Sequence, residues 1–439
     1  MALRAITGRA ALARLLPVTR RESRLSVGQS VAPPRHQPTR RQLSGPADAF
    51  YTPLGSTGGP GAAGGEDDGG GTVVGEVLDH AVNLKRARPG DVIKVPYEVT
   101  VTSGMREFWQ AAFYSHDRIC TSTPFARALG LQDQALPFSL MLFLAGSMSH
   151  AEAAVVQVAY RNAKYLWPGF TGDTFTKTFQ IKQVNNSSDG QKSAFDFVCR
   201  LVNQRGKTCF SCEKTMIFPF NVASGGESMW VSTPPVGQDS LRDHLIKRSE
   251  KLAELGGQSL KRLRPGMLVL HAASRPLSAG QSMALCSLGR LTHPRHFNSL
   301  KYGQDELLVP GGLVLGLASS LSARDLHEAL HEELVECSFF NPFHPGDLMS
   351  SMSYVQRVDQ HPNGVLERLT VRTVGLKGLD VDALKGLALP LELLTGNCRR
   401  TKEVERICRA SCPQLSGKVV VLAERSIVRH APKTDVFLL

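Results

Sequence analysis

The residues best suited by type and spacing to do chemistry lie in one stretch, residues 291–322, LTHPRHFNSLKYGQDELLVPGGLVLGLASSLS. A polar loop with His293 and His296 precedes the pair Gly311-Gly312 and an apolar run that reads as a buried helix. Glycine lets a ligand approach the backbone, and the first N–H groups of a helix have no internal partner and carry partial positive charge. This combination suits a carbonyl or enolate oxygen, with His296 as an acid or base. The alternative is an ordinary glycine turn and a surface histidine.

The same stretch resembles the signature of MaoC-type hot-dog hydratases, in which a D-x-N-P-x-H loop precedes a glycine-started central helix. Pro294 and His296 match the proline and the histidine, whereas His293 replaces the asparagine and Leu291 stands at the acidic or amide position. Similarity to mesaconyl-CoA hydratases (beta-methylmalyl-CoA dehydratases) is closer, and it runs from about residue 85 to the end, except for an insertion. Its shared words are TSTPFARALGL and TGDTF in the first half and HFN, GG, LASSLS and PGD in the second.

The resemblance implies a hydro-lyase that adds water to an enoyl-CoA or removes it from a 3-hydroxyacyl-CoA, with no cofactor and no metal. Gly312 would supply backbone N–H groups to the thioester oxygen, and His296 would activate the water. Leu291 can neither hold that water nor act as an acid, so His293 or Thr292 would have to substitute.

Two further residues are candidates for substrate binding, and the resemblance implies what the substrate is. Gly311 would lie against the acyl-CoA thioester, while Arg295 would meet a CoA phosphate or a substrate carboxylate, or else be solvated. A branched or dicarboxylic acyl group such as mesaconyl is the expected substrate.

The elements that must position these residues occur twice in the chain, as an internal sequence repeat. Arg88-Pro89-Gly90 corresponds to Arg264-Pro265-Gly266, and the apolar run at 137–149 corresponds to 310–322. Each copy reads as a strand, a buried helix and a series of alternating strands. Two copies of this length indicate tandem domains, since solenoids need more and shorter repeats. These patterns agree with the fold that the resemblance implies, an α+β tandem (double) hot-dog in which an antiparallel sheet wraps each long helix, at 137–149 and at 313–330, and the two sheets join edge to edge.

The first copy lacks the polar signature of the second. Pro124 stands at the position of His296, Thr121 at that of His293, and Phe138-Ser139 at that of the glycine pair. Cys120 lies in the corresponding loop, but no histidine in its sequence context supports it as a nucleophile. We expect the first copy to be structural and to help form the acyl pocket.

The composition of residues 1–46 differs from that of the rest of the chain. Residues 1–46 contain nine arginines and one acid, Glu22, so they carry most of the formal net charge of +12. An Arg-rich, Ser-containing, acid-poor amino terminus that can form an amphipathic helix is typical of a mitochondrial transit peptide. We expect the mitochondrial matrix as the location, no nucleic-acid partner and, since no long apolar run occurs, no membrane span. A disordered basic arm is the alternative.

The remaining segments complete the predicted organisation. We expect the insertion to be a solvated surface segment, with partner docking as the alternative. We expect the protein to form a homodimer, or its two halves to form an intramolecular hot-dog pair. A catalytically inactive structural subunit of a mitochondrial assembly is the competing function, since Leu291 breaks the signature. The predicted segments are 1–46 transit peptide, 47–74 flexible Gly-rich linker, 75–222 first hot-dog, 223–263 linker with a helix, and 264–439 second hot-dog with the insertion at 377–416.

Overall fold

The computed structural model describes residues 74–76, 82–148, 151–222, 240–255 and 262–432. The predicted transit peptide and nearly all of the predicted Gly-rich linker lie outside the described residues. Among the described helices, none is long and apolar enough to cross a membrane.

One antiparallel sheet of eleven strands organises the described chain. In spatial order the strands run β1-β4-β5-β6-β3-β8-β11-β10-β9-β7, and β2 pairs with β4 beside β1. The strands are β1 (Val92–Lys94), β2 (Val99–Thr100), β3 (Val156–Tyr165), β4 (Thr174–Asn186), β5 (Ser193–Asn203), β6 (Thr208–Phe218), β7 (Leu268–Pro276), β8 (Ala329–Phe339), β9 (Leu348–Gln360), β10 (Leu366–Lys377) and β11 (Val419–His430). In β4 and β5 buried residues largely alternate with partly exposed ones, as in strands with one face against a core.

The helices lie mainly against this sheet, and the two most buried are α4 and α8. Seven of the nine residues of α4 are buried, so the helix is apolar on every side. The helices are α1 (Ser103–Phe113), α2 (Arg118–Thr121), α3 (Thr123–Ala128), α4 (Phe138–Gly146), α5 (Leu241–Arg248), α6 (Ala279–Leu288), α7 (Ser299–Tyr302), α8 (Gly311–Leu326), α9 (Leu391–Thr395) and α10 (Thr401–Ser411).

The strand order shows the predicted repeat directly. The first five strands of the order match the last five taken in reverse, so that β1 corresponds to β7 and β3 to β8. β3 and β8 pair antiparallel at the centre, with Ala159 opposite Ser338 and Ala163 opposite Leu334. Both halves contribute to one main hydrophobic core that contains α4 and α8. The predicted α+β tandem hot-dog, with its sheets joined edge to edge, is confirmed.

One boundary predicted from the sequence is wrong. We predicted a central helix over 313–330, but α8 ends at Leu326, and Leu330 already belongs to β8. The chain leaves the helix at His327, whose backbone is extended (φ −29°, ψ 137°). The N–H of Ala329 then donates to Asp117 Oδ1 in the first half (2.8 Å), which fixes the start of the strand.

The insertion is part of the core, which corrects the expectation of a solvated excursion. α10 buries Val404, Ile407 and Cys408 on one side and exposes its charged residues on the other. The buried side packs over the sheet, in a second hydrophobic cluster with Met352 and Leu422. Burial of these apolar side chains, at about 1.5–3 kcal/mol for a large one, holds the insertion on the sheet.

Candidate active site

The glycine pair begins α8 where both halves meet. The N–H groups of Leu313 and Val314 donate to Pro310 O, and no side chain caps the helix. The N–H groups of Gly311 and Gly312 are therefore the unpaired donors that every helix start leaves. A Cβ at Gly312 would lie 3.0 Å from Phe143 Cδ2 and 3.4 Å from the Tyr160 hydroxyl oxygen, so glycine permits close packing against the first half.

First-half side chains surround this helix start. A Cβ at Gly311 would lie 3.2 Å from Gln157 Nε2 on β3. Gln157 Nε2 is a buried donor with no hydrogen-bond partner among the described residues. Burial raises the pKa of Tyr160 well above its usual value, so the phenol stays neutral. The helix start therefore presents neutral donors to whatever oxygen binds there.

His296 has a defined tautomer. It ends a short 3₁₀ turn, Pro294–His296, and its Nδ1 lies 2.8 Å from Leu308 O. A carbonyl only accepts, so Nδ1 carries the proton and Nε2 keeps its lone pair. Burial, with smaller contributions from the charges of His293 and Lys214, lowers the pKa of His296 to about 4. At neutral pH this imidazole is a neutral base whose acceptor atom is Nε2.

Both ring nitrogens of His293 take part in hydrogen bonds. Nε2 lies 2.8 Å from Ala154 O, and Nδ1 accepts from the N–H of Arg295 (3.1 Å). Burial lowers its pKa, although the Glu152 carboxylate opposes that shift. In this conformation His293 caps the 3₁₀ turn and ties the loop to the first half. The predicted role of holding water would require it to give up one of these bonds.

The other predicted residues of the loop differ in exposure. Thr292 is exposed, whereas Arg295 is half-buried with its guanidinium 5.3 Å from the Tyr302 ring centre. Arg295 Nε is buried without a hydrogen-bond partner in the described part of the chain. Leu291, at the signature's acidic position, packs against the main core. The structure thus brings His293 and His296 together, with ring centres 5.7 Å apart, but it places no acid in their own loop.

The chain is similar to known proteins in fold and in sequence. No protein-family model matches it. A solved structure titled as a putative MaoC domain protein dehydratase from Chloroflexus aurantiacus superposes with a TM-score of 0.65 at 18% identity, covering 82% of this chain and all of the other. A Mycobacterium tuberculosis protein described as having a double hot-dog fold superposes with a TM-score of 0.57 at 15% identity, covering 78% of this chain and 97% of the other. The fold is the double hot-dog of MaoC-like dehydratases.

In sequence, this double hot-dog is similar to the mesaconyl-CoA hydratase of Cereibacter sphaeroides. Identity is 24% over 302 residues, covering 66% of this chain and 88% of the relative. The resemblance found in the loop and in the apolar helices is therefore confirmed at the level of whole chains. The roles predicted for His296, His293, Gly312, Gly311, Arg295 and Thr292 remain predictions.

Two buried lysines of this double hot-dog were not predicted from the sequence. Lys177 Nζ donates to Ser147 O, Ser147 Oγ and Gly289 O, and Lys214 Nζ donates to Gly146 O. Both cap the carboxyl end of α4, where the helix dipole favours positive charge. Burial lowers the pKa of Lys177 to about 7 and that of Lys214 to about 8. Their signal was available, because Lys177 is in phase with buried Phe175 and Phe179 on β4.

Proposed function

We propose that this chain is a mitochondrial acyl-CoA hydro-lyase, an enoyl-CoA hydratase or 3-hydroxyacyl-CoA dehydratase of MaoC type. The observation that carries the proposal is His296, a neutral imidazole with Nδ1 protonated by its bond to Leu308 O and Nε2 left as an acceptor. The residue to which it is hydrogen-bonded, Leu308, stands three positions before the uncapped start of α8 at Gly311. The similarity to a mesaconyl-CoA hydratase supports a branched or dicarboxylic acyl-CoA as substrate.

The reaction needs a base for water and donors for the charge that develops on the thioester oxygen. As water oxygen bonds to the β carbon, His296 Nε2 takes one water proton, and the electron pair of the C=C bond moves towards the thioester oxygen. The N–H groups of Gly311 and Gly312 stabilise that enolate. The imidazolium then returns its proton to the α carbon, the thioester carbonyl reforms, and one water has been added. Dehydration is the reverse.

The test is a spectrophotometric hydration assay of the purified full chain against a panel of enoyl-CoAs that includes mesaconyl-CoA. His296→Asn is the decisive variant, because an amide N–H can still donate to Leu308 O but no basic nitrogen remains. A positioned acid–base group contributes about 10²–10⁴ in rate, so we expect a loss of kcat of that size with an unchanged unfolding temperature.

His361→Ala is the matched control, since His361 lies in the turn between β9 and β10 and should keep wild-type turnover. Hydration that survives His296→Asn would place the active group elsewhere and contradict the assignment of His296.

A second function, an inactive structural subunit, is favoured by one observation. Leu291 occupies the signature's acidic position, and its partly buried side chain packs against the main core. Wild-type protein that hydrates none of the enoyl-CoAs would support this alternative. In that case Leu291→Asp and His296→Asn would also leave every rate at background.

A further inference from the structure

The hydration step has one requirement that the loop 291–296 does not meet. A single imidazole can take one water proton, but the attacking water must also be oriented by a second acceptor so that its oxygen lone pair faces the β carbon. Leu291 has no acceptor, both nitrogens of His293 are engaged, and Thr292 is exposed on the surface of the loop. The acceptor has to come from another segment of the protein.

Glu152 of the first half is a carboxylate with an unused buried oxygen. It lies in the turn just before β3, closed by a hydrogen bond from the N–H of Ala154 to Ala151 O (2.9 Å). Its Oε2 is buried and has no hydrogen-bond partner among the described residues. A buried carboxylate oxygen without a hydrogen-bond donor is unfavourable, so a donor bound there would recover free energy.

The turn that carries Glu152 is attached to the loop of the second half. Ala154 O accepts the hydrogen bond of His293 Nε2, two residues after Glu152. The negative charge of Glu152 acts on the His293 ring, and the His293 and His296 rings are neighbours with centres 5.7 Å apart. Among the charges that act most strongly on His293, Glu152 is the single carboxylate, the others being Arg295 and Lys301.

We propose that Glu152 is a catalytic residue, the carboxylate that replaces the acid absent at Leu291 and orients the water. This inference rests on the proposed function. Water donates one hydrogen bond to Glu152 Oε2 and its other proton to His296 Nε2 as its oxygen bonds to the β carbon. Glu152 itself gains and loses nothing in the net reaction, and His296 returns its proton to the α carbon. The active site is then shared between the halves, because the first supplies the carboxylate and the second supplies the base.

The experiment compares Glu152→Gln with wild type in the full chain, using the enoyl-CoA that wild type hydrates fastest. The amide keeps the size of the side chain but makes the water-facing group uncharged and partly a donor. We expect kcat to fall by about 10²-fold or more, KM to change by less than about threefold, and the unfolding temperature to stay within about a degree. Glu254→Gln is the matched control, because Glu254 is an exposed surface residue paired with Lys251.

A rescue separates chemistry from structure. Leu291→Asp places a carboxylate at the signature position, so Glu152→Gln combined with Leu291→Asp should regain at least about tenfold in kcat over Glu152→Gln alone. Wild-type kcat in Glu152→Gln overturns the inference while the proposed function stands. A loss of kcat accompanied by a lowered unfolding temperature, with no rescue, overturns it in favour of a structural role. Absence of hydration by wild type removes the proposed function, and the inference with it.

Discussion

The buried lysine at the end of α4 gives a quantitative prediction about stability and pH. Lys177 is fully enclosed, and burial lowers its pKa from 10.5 to about 7 in the folded protein. In the unfolded chain the amine keeps its proton up to about pH 10.5, so between pH 7 and 10.5 the unfolded state binds more protons than the folded state. The free energy of unfolding therefore rises with pH in this window as far as Lys177 is concerned.

The size of the effect follows from the two pKa values. With one unit worth 1.36 kcal/mol, Lys177 should raise the free energy of unfolding by about 2 kcal/mol between pH 7 and pH 9. The variant is Lys177→Met, which fills similar space without a titrating group. Subtracting its unfolding free energies from those of wild type should leave a difference that rises by this amount, measured by urea titrations at each pH.

The subtraction also cancels the contribution of titrating groups that lower the free energy of unfolding as the pH rises. Burial raises the pKa of the Cys209 thiol to about 12, so thiols of this kind lower the stability of both proteins equally at alkaline pH. Lys251→Met is the control, because Lys251 is exposed and its difference from wild type should not vary with pH. A flat or falling difference for Lys177→Met would refute the reasoning that burial depresses this amine.

Two further predictions concern packing and location. Gly146→Ala should destabilise the protein by about 1–3 kcal/mol in urea unfolding, since its Cβ would overlap the Tyr160 hydroxyl. The control is Gly280→Ala in α6, whose Cβ meets nothing within 4 Å and which should be neutral or stabilising by up to about 1 kcal/mol. Equal effects of the two substitutions would contradict the packing argument. A fusion of residues 1–50 to a fluorescent protein should reach mitochondria because of its nine arginines, and a cytosolic signal would argue against the transit peptide.

Local patterns were enough to predict much of the fold. Strands β4, β5, β6, β9, β10 and β11 and helices α1, α4 and α8 correspond to stretches whose periodicity or apolar run is visible in the sequence. Strands β3, β7 and β8 were not predicted. The alternation of β3 is interrupted at Asn162, which has a positive φ of 49°, and β8 carries several charged residues. β3 and β8 each have a partner in their own half, but they also pair with each other across about 170 residues, and no local pattern shows that pairing.

The candidate site, like the fold, could be predicted from the sequence only in part. The loop with His296 and the glycine pair could be predicted, because motif spacing and helix chemistry are local. The surroundings of the glycine pair could not, since Gln157 and Tyr160 of β3 lie against it through the pairing of β3 with β8. The occupation of both His293 nitrogens likewise depends on Ala154 of the other half.

The central pairing of β3 with β8 also affects how the chain is made. β3 leaves the ribosome about 160 residues before β8, so at about 5–20 residues per second it waits roughly 10–30 s for its partner. During that time its outer edge presents unpaired N–H and C=O groups, a template on which another nascent chain can pair. The edge of β3 that pairs with β8 at the centre of the finished sheet is thus unpaired during synthesis. A truncated product that ends before Ala329 would keep that edge open for its whole lifetime.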